Sequence, residues 1–317
     1  MSNKLGFMGC GEMASAIIKG LLSSGFMHTS DIHATTHTDK SASAKSKILK
    51  IKVITNNKDI AKDSEIIVLA TKPNQIEEVL QEIKNEVNGK LIISIAAGVS
   101  TVKIENIVDK SPVVRVMPNT PMLVSEGMCG ICLGKLATEK EENFVTEMLS
   151  QVGKVVTVTE EQIDIVTAIS GSGPAFFYQI FEDIAQAGAK LGLDYEKALI
   201  LALQTAIGSA KMVQNTTKTV PELVASVATK GGCTEVGVSE MKALNSSNLF
   251  AEVIRKTAEK AHALGQEASG NAWPTTTICD SKTSAREDFI HLASSKDGCL
   301  VVKRSTLYIH NPSYKVC

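Results

Sequence analysis

The chain begins with a short apolar run, Leu5 to Met8, that turns through Gly9-Cys10-Gly11-Glu12-Met13-Ala14 into an amphipathic stretch, Met13 to Leu22. A G-x-G-x-x-A pattern between a strand and a helix constrains both fold and ligand. The first glycine makes the tight turn, the second lets a pyrophosphate approach the backbone, and the alanine lets the helix sit close on the strand. Free amides and the dipole at the helix start then favour phosphate. Standing alone the pattern is weak and fits a merely structural turn, but here it heads a series. Apolar runs at Asp31 to Thr35, Lys52 to Ile54, Ile66 to Ala70, Leu91 to Ile95 and Val113 to Met117 alternate with amphipathic stretches such as Gln75 to Asn85. That alternation is the signature of βαβ units around a parallel sheet. Two further runs, Met128 to Leu133 and Lys154 to Val158, flank a helical stretch from Glu139 to Leu149 and finish the sheet.

After Glu160 the period changes. Ile163 to Ile169, Ala175 to Leu191, Tyr195 to Val213, Val220 to Ala228 and Leu249 to Leu264 read at helical spacing. The sequence therefore predicts an α/β domain over 1–160 followed by an all-α domain over 161–265, in keeping with 317 residues at about 150 per domain. Ala175 to Leu191 and Ala198 to Val213 are apolar over more of their circumference than one core face requires. A domain of about 100 residues cannot bury so much alone, which predicts a dimer built through these helices; the alternative is a compact monomeric bundle. The remaining stretch, 266–317, holds three of the seven cysteines and the only tryptophan, Trp273. It reads as a loosely ordered appendage belonging to neither domain.

Composition excludes several partners. With 33 Lys plus Arg against 34 Asp plus Glu, the chain has no general electrostatic hold on nucleic acid or an anionic membrane. At 4% aromatic residues, base-stacking platforms are not expected either. No apolar run reaches the roughly 18 to 20 residues of a membrane helix, and Leu5 to Met8 meets Gly9 without a signal-peptide cleavage site, so the expected location is cytoplasmic. Cys129 and Cys132 form a C-x-x-C inside a strand-like run, where neighbours three apart face opposite sides, so no metal site is expected. The partner to look for is a small molecule.

The end of the second run chooses among dinucleotides. Thr35-Thr36-His37-Thr38 offers hydroxyls, amides and nearby Lys40 where an acid would otherwise grip the free ribose of NAD, so NADP is favoured; Asp31 stands at the wrong end of the strand. Ala70-Thr71-Lys72-Pro73 and Ser94-Ile95-Ala96-Ala97-Gly98-Val99 follow carboxyl ends of parallel strands, where open α/β sheets bind ligands. Small Ala96, Ala97 and Gly98 let a nicotinamide ring lie against backbone. Lys72 reads equally as a solvated loop cation or a catalytic one. Arg115 to Pro121 ends in a double-proline turn with Asn119 projecting, a turn that is often purely structural.

Taken in order, Gly9 to Ala14, Ala70 to Pro73, Ser94 to Val99, Val116 to Pro121 and Ser170-Gly171-Ser172-Gly173-Pro174-Ala175 resemble pyrroline-5-carboxylate reductase, over roughly Leu5 to Leu264. The resemblance implies a Rossmann-type parallel-sheet domain followed by an all-α dimerisation domain. It also implies reduction of 1-pyrroline-5-carboxylate to L-proline by NADPH, or NADH, in homodimers that can assemble into larger rings such as a decamer. By the resemblance, Gly9, Cys10, Gly11, Glu12 and Met13 hold the phosphates, Thr36 and Thr38 the adenosine ribose and 2′-phosphate, and Asn57 the adenosine. Ala70, Thr71, Lys72, Pro73, Ala96, Ala97 and Gly98 take the nicotinamide side. The substrate loop is Thr229-Lys230-Gly231-Gly232-Cys233-Thr234, donated across the dimer, and Glu160 is an acidic substrate contact.

The loop has its own physics. Glycine amides at a helix start, Gly231 and Gly232, make an anion nest for a carboxylate, and the Thr234 hydroxyl can hydrogen-bond a ring nitrogen. A threonine is too weak an acid to protonate an amine unaided, so Thr234 is expected to orient that nitrogen. The family usually reads Ser-Pro-Gly-Gly-Thr-Thr here; Thr229, Lys230 and Cys233 depart from it, loosening the loop and adding a charge. Two rivals stay open: an NADP-binding regulatory paralogue without turnover, and a related imine or β-hydroxyacid reductase.

Overall fold

The computed structural model describes residues 4–266, 290–293 and 299–302. Contacts divide the chain into two compact units, Met1–Ser269 and Gly270–Cys317. In the second, Ile290–Ala293 and Cys299–Val302 pair antiparallel. Most of the stretch expected to be loosely ordered, 266–317, lies outside the described residues.

The first unit runs β1 (Leu5–Met8), α1 (Glu12–Ser23), β2 (Ile32–Thr35), α2 (Asp39–Leu49), β3 (Lys52–Ile54), α3 (Asn57–Asp63), β4 (Ile66–Leu69), α4 (Ile76–Ile83), β5 (Leu91–Ser94), α5 (Thr101–Glu105), β6 (Val113–Met117), β7 (Gly127–Leu133), α6 (Glu139–Ser150) and β8 (Gly153–Thr157). It continues through α7 (Ile163–Val166), α8 (Gly173–Lys190), α9 (Tyr195–Gln214), α10 (Val220–Val227), α11 (Cys233–Ala243) and α12 (Ser246–Gln266). Eight strands form one sheet in the order β3-β2-β1-β4-β5-β6-β7-β8.

Every residue of β1, β2, β4 and β5 is buried, as strands covered on both faces must be. One apolar layer sets Ile17, Ile18 and Leu21 of α1 with Met148 and Leu149 of α6; the other joins Ile60, Leu80, Ile83 and Ile104 from α3, α4 and α5. β1 pairs with β2 on one side and β4 on the other, so the chain's direction of travel across the sheet reverses there and a crevice opens at its carboxyl end. β1 to β6 are parallel; β7 runs antiparallel to β6, and β8 pairs parallel with β7, so the last two strands run opposite to the rest. The connection 118–126 is shorter than the dozen or so residues a parallel crossover requires.

The helical part corrects the sequence reading in two places. Residues 163–169 are not one helix: α7 gives way to a π-helical turn at Thr167–Gly171 before α8. Pro174 has no N–H to return to the carbonyl of Ser170, and that carbonyl accepts instead from Asn119 Nδ2 at 3.2 Å. Asn119, read as projecting, is buried; its Oδ1 also accepts the Met128 amide at 2.8 Å, tying the β6–β7 connection to the helices. The second is α11, missing from the stretches read at helical spacing, although its start directly after Gly232 agrees with the helix start expected at the two glycines.

Burial in the helices is sparse. α9 has one buried residue, Ala198, and α10 and α11 have none. Phe177, Ile184, Ile200, Leu201 and Ile207 are all exposed in the single chain.

Candidate active site

The turn after β1 shows why its two glycines differ. Gly9 adopts φ +98°, and a Cβ there would stand 2.9 Å from the Ala70 carbonyl oxygen. Its amide donates to Thr35 Oγ1 at 3.0 Å, and that buried hydroxyl donates to the Phe7 carbonyl at 3.4 Å, so β2 holds the turn in shape. No packing requires Gly11: among the described residues no neighbouring atom lies within 4 Å of where its Cβ would be. It caps α1 without a side chain, leaving the first-turn amides open. Shape and donors suit a pyrophosphate. Beside Gly9, the Thr71 hydroxyl is buried and has no hydrogen-bond partner among the described residues.

At the tip of β2 the expected hydroxyls are already engaged. Thr36 Oγ1 donates to the Thr38 carbonyl at 3.2 Å, and Thr38 Oγ1 accepts the Ser41 amide at 3.2 Å as the cap of α2. Asn57, first residue of α3, donates through Nδ2 to Glu82 Oε2 at 2.7 Å, while its neighbour Asn56 caps the helix. Lys72 is exposed ahead of the turn Pro73–Gln75. Ala96 is buried and Ala97 exposed, and Gly98 lies against the end of α12 at Leu264 and Gly265. Pro73, Ala97, Gly98 and Leu264 share the wall of a cleft of about 560 Å³.

Glu160 is held by residues of β6, β7 and the start of α5. Its carboxylate pairs with buried Arg115 of β6 and accepts from Thr101 Oγ1 at 2.9 Å and Cys132 Sγ at 3.2 Å. The segment just beyond β8 is thereby fastened to β6, β7 and the start of α5. Arg115→Ala leaves that carboxylate without its cation and is expected to cost about 3 kcal/mol in urea unfolding. A loss no larger than that of an exposed pair, at most about 1 kcal/mol, would show the fastening to be idle. Cys129, on the same strand as Cys132, turns to Met122 Sδ at 3.9 Å instead. Burial pushes the Cys129 thiol up to about 12, and burial together with Glu160 pushes Cys132 up as well. Both remain protonated at neutral pH, without nucleophilic character.

The loop before α11 differs in detail from the expected nest. The Gly231 amide donates to Glu235 Oε2 at 2.7 Å and the Gly232 amide to the Thr229 carbonyl at 2.9 Å, so both glycine donors are in use. Gly232 caps α11 with no side-chain bond, which leaves the Cys233 and Thr234 amides at the first turn as the donors for an anion. Cys233 and Thr234 are exposed. The structure gathers the glycine turn, the β2 tip and the β4 and β5 loops at one edge of the sheet. Among the described residues no hydrogen bond or ion pair joins the loop at Thr229–Thr234 to that edge.

Comparison with known proteins places these features in context. Residues 160–264 match the family model described as pyrroline-5-carboxylate reductase dimerisation, and residues 4–98 match NADP oxidoreductase coenzyme F420-dependent. The chain is 36% identical over 268 residues to the pyrroline-5-carboxylate reductase of Methanosarcina acetivorans, covering 84% of this chain and 99% of that protein. It is 31% identical to that of Arabidopsis thaliana, covering 84% and 96%. Among solved structures it is similar to Plasmodium falciparum pyrroline carboxylate reductase with NADP bound, at TM-score 0.74 and 32% identity, covering 83% of this chain and 98% of that one. A pyrroline-5-carboxylate reductase from Coxiella burnetii matches at TM-score 0.79 and 32% identity, covering 83% and 99%.

Proposed function

The chain belongs to the pyrroline-5-carboxylate reductase family, and from that premise we infer how its residues divide the reduction of 1-pyrroline-5-carboxylate to L-proline by NADPH. The observation that carries the assignment is the open cradle at Gly11: space and free amides at the one crevice of the sheet where a dinucleotide fits. Gly9, Cys10, Gly11, Glu12 and Met13 surround the pyrophosphate. Thr36, Thr38 and Asn57 border the adenosine, and Ala70, Thr71, Lys72, Pro73, Ala96, Ala97 and Gly98 border the nicotinamide. Bound there, NADPH supplies a hydride to the imine carbon, and NADH serves the same chemistry.

The protein's share is position and orientation, worth up to about 7 to 11 kcal/mol when two partners are held at near-attack distance. The Cys233 and Thr234 amides at the start of α11 hold the substrate carboxylate, with Gly231 and Gly232 shaping the turn. Thr234 Oγ1 orients the ring nitrogen, which arrives protonated or takes its proton from water. Lys72, exposed at the rim, adds a positive charge on the side where the anionic substrate enters. Glu160 is the acidic contact on the substrate side, held in place between sheet and helices by Arg115, Thr101 and Cys132. A domain boundary at Glu160, with residues 161–265 as the dimerisation and substrate domain, follows from the same reading.

The match to the dimerisation family and the exposed apolar helices make the chain an oligomer-former. A homodimer joined through α8 and α9 brings one copy's α11 loop to the other's cradle, and native mass spectrometry separates a dimer from a ring such as a decamer. No described helix is long and apolar enough to cross a membrane; a cytoplasmic location fits the reaction proposed.

Activity is tested by NADPH oxidation with 1-pyrroline-5-carboxylate, beside other cyclic imines and 3-hydroxy acids. Turnover of the pyrroline alone supports the assignment. Tight NADPH binding with no turnover of any of them makes the chain a regulatory paralogue, and preference for another substrate makes it a different reductase. Thr234→Ala is expected to lower kcat/KM about 100-fold, since a lost hydrogen bond to a charged group is worth about 1.5 to 3 kcal/mol, while NADPH affinity stays within twofold. An unchanged kcat/KM removes Thr234 from the mechanism.

A further inference from the structure

We propose that Lys45 is the cation that selects the 2′-phosphate of NADPH, an inference that rests on the cofactor assignment above. Lys45 sits on α2 and reaches across to the first turn of α1. Its ammonium donates to Ser15 Oγ at 2.8 Å and lies 3.6 Å from Glu12 Oε1. Ser15 Oγ is in turn 3.9 Å from Cys10 Sγ in the glycine turn. Side chains on a helix lean toward its N-terminus, which carries the ammonium back along α2 toward Thr38 at the β2 tip. The charge therefore stands against the first turn of α1 on the side facing α2, the flank of the glycine turn along which the adenosine half of a dinucleotide runs toward the β2 tip.

Two observations separate this from a simple brace between helices. The Thr36 and Thr38 hydroxyls at the β2 tip are engaged in their own turn, and neither can neutralise a phosphate. Lys45, by contrast, is three-quarters buried while its carboxylate partner Glu12 is almost wholly exposed. An ion pair to so exposed a carboxylate contributes little, so exchanging it for a dianionic phosphate is strongly favoured. NADH brings no charge to that crevice and leaves Lys45 with its present partners.

The test is a fluorescence titration of the full chain with NADPH and with NADH. Lys45→Met is expected to raise the Kd of NADPH about tenfold or more and that of NADH less than twofold, and Lys45→Arg to keep the selectivity. Equal losses for both cofactors would make Lys45 a pyrophosphate contact or a brace, and no loss would make it irrelevant; either overturns the proposal. Should Lys45→Met disturb the packing of α1 on α2, the unaltered protein still decides. Lysine acetylation mapped by peptide mass spectrometry should show Lys45 protected by NADPH and not by NADH, and equal protection by both, or by neither, sinks the idea. Neither readout involves turnover. A chain that binds NADPH selectively through Lys45 without reducing the pyrroline would refute the enzymatic assignment alone, and an active Lys45→Met chain with unchanged selectivity would refute this one alone.

Discussion

Gly11→Val should leave a folded protein that no longer binds NADPH. Gly11 has φ −73° and ψ −169°, extended backbone open to any residue, and among the described residues no neighbouring atom lies within 4 Å of the position a Cβ would take. The only thing an isopropyl group meets there is the ligand. Filling the space where a pyrophosphate approaches the amides of α1 removes both close approach and hydrogen bonds, so a rise in Kd of at least about 100-fold is expected, equivalent to about 2.7 kcal/mol. The unfolding midpoint should move by no more than about 2 °C, the size of a surface change. Gly9→Ala gives the opposite pattern. Its Cβ would press on the Ala70 carbonyl from a φ of +98°, so it should lose about 2 to 3 kcal/mol of stability and affect binding through the distorted turn. If Gly11→Val binds NADPH normally, the cradle is not the cofactor site.

That contrast also marks what a sequence can and cannot tell. The two glycines look alike in the pattern Gly9-Cys10-Gly11, and strand, turn and helix follow from local spacing; the alternation of runs gave the sheet because buried parallel strands are continuously apolar. Strand direction has no such signature, so β7 could be placed in the sheet without its antiparallel sense being visible. Polar partners distant in sequence were hidden for the same reason. Nothing near Asn119 announces that Pro174 will leave the Ser170 carbonyl unpaired, and nothing near Glu160 announces Arg115, Thr101 and Cys132. The glycine pair at 231–232 shows the limit within a motif. The residues were legible, but Glu235 and Thr229 take their amides, so the donors move on to Cys233 and Thr234. Lys45 lies in an unremarkable polar helix and becomes interesting only once α2 is laid beside α1.

The apolar helices make the second large prediction. Leu201 is 60% exposed in the single chain and lines a groove of about 440 Å³ with Phe177, Phe181, Ile184 and Ala202 of α8 and α9. In the proposed dimer that groove is core. Burying a leucine is worth about 1.5 to 3 kcal/mol, and an aspartate in its place brings a carboxylate whose desolvation costs several kcal/mol more. A two-fold interface carries the change on both copies. Leu201→Asp is therefore expected to weaken association by at least about 1,000-fold, since every 1.4 kcal/mol is a factor of ten, and to give a monomer in light scattering at micromolar concentration. The monomer should keep its NADPH affinity, because the cradle is built from β1, α1 and the β4 loop of one chain. It should lose nearly all reduction of the pyrroline, because among the described residues no hydrogen bond or ion pair ties the α11 loop to the cradle of its own chain, and in the proposed dimer that loop serves the partner's site. A monomer with full activity would show that each chain closes its own site, and an undiminished oligomer would move the interface off α8 and α9.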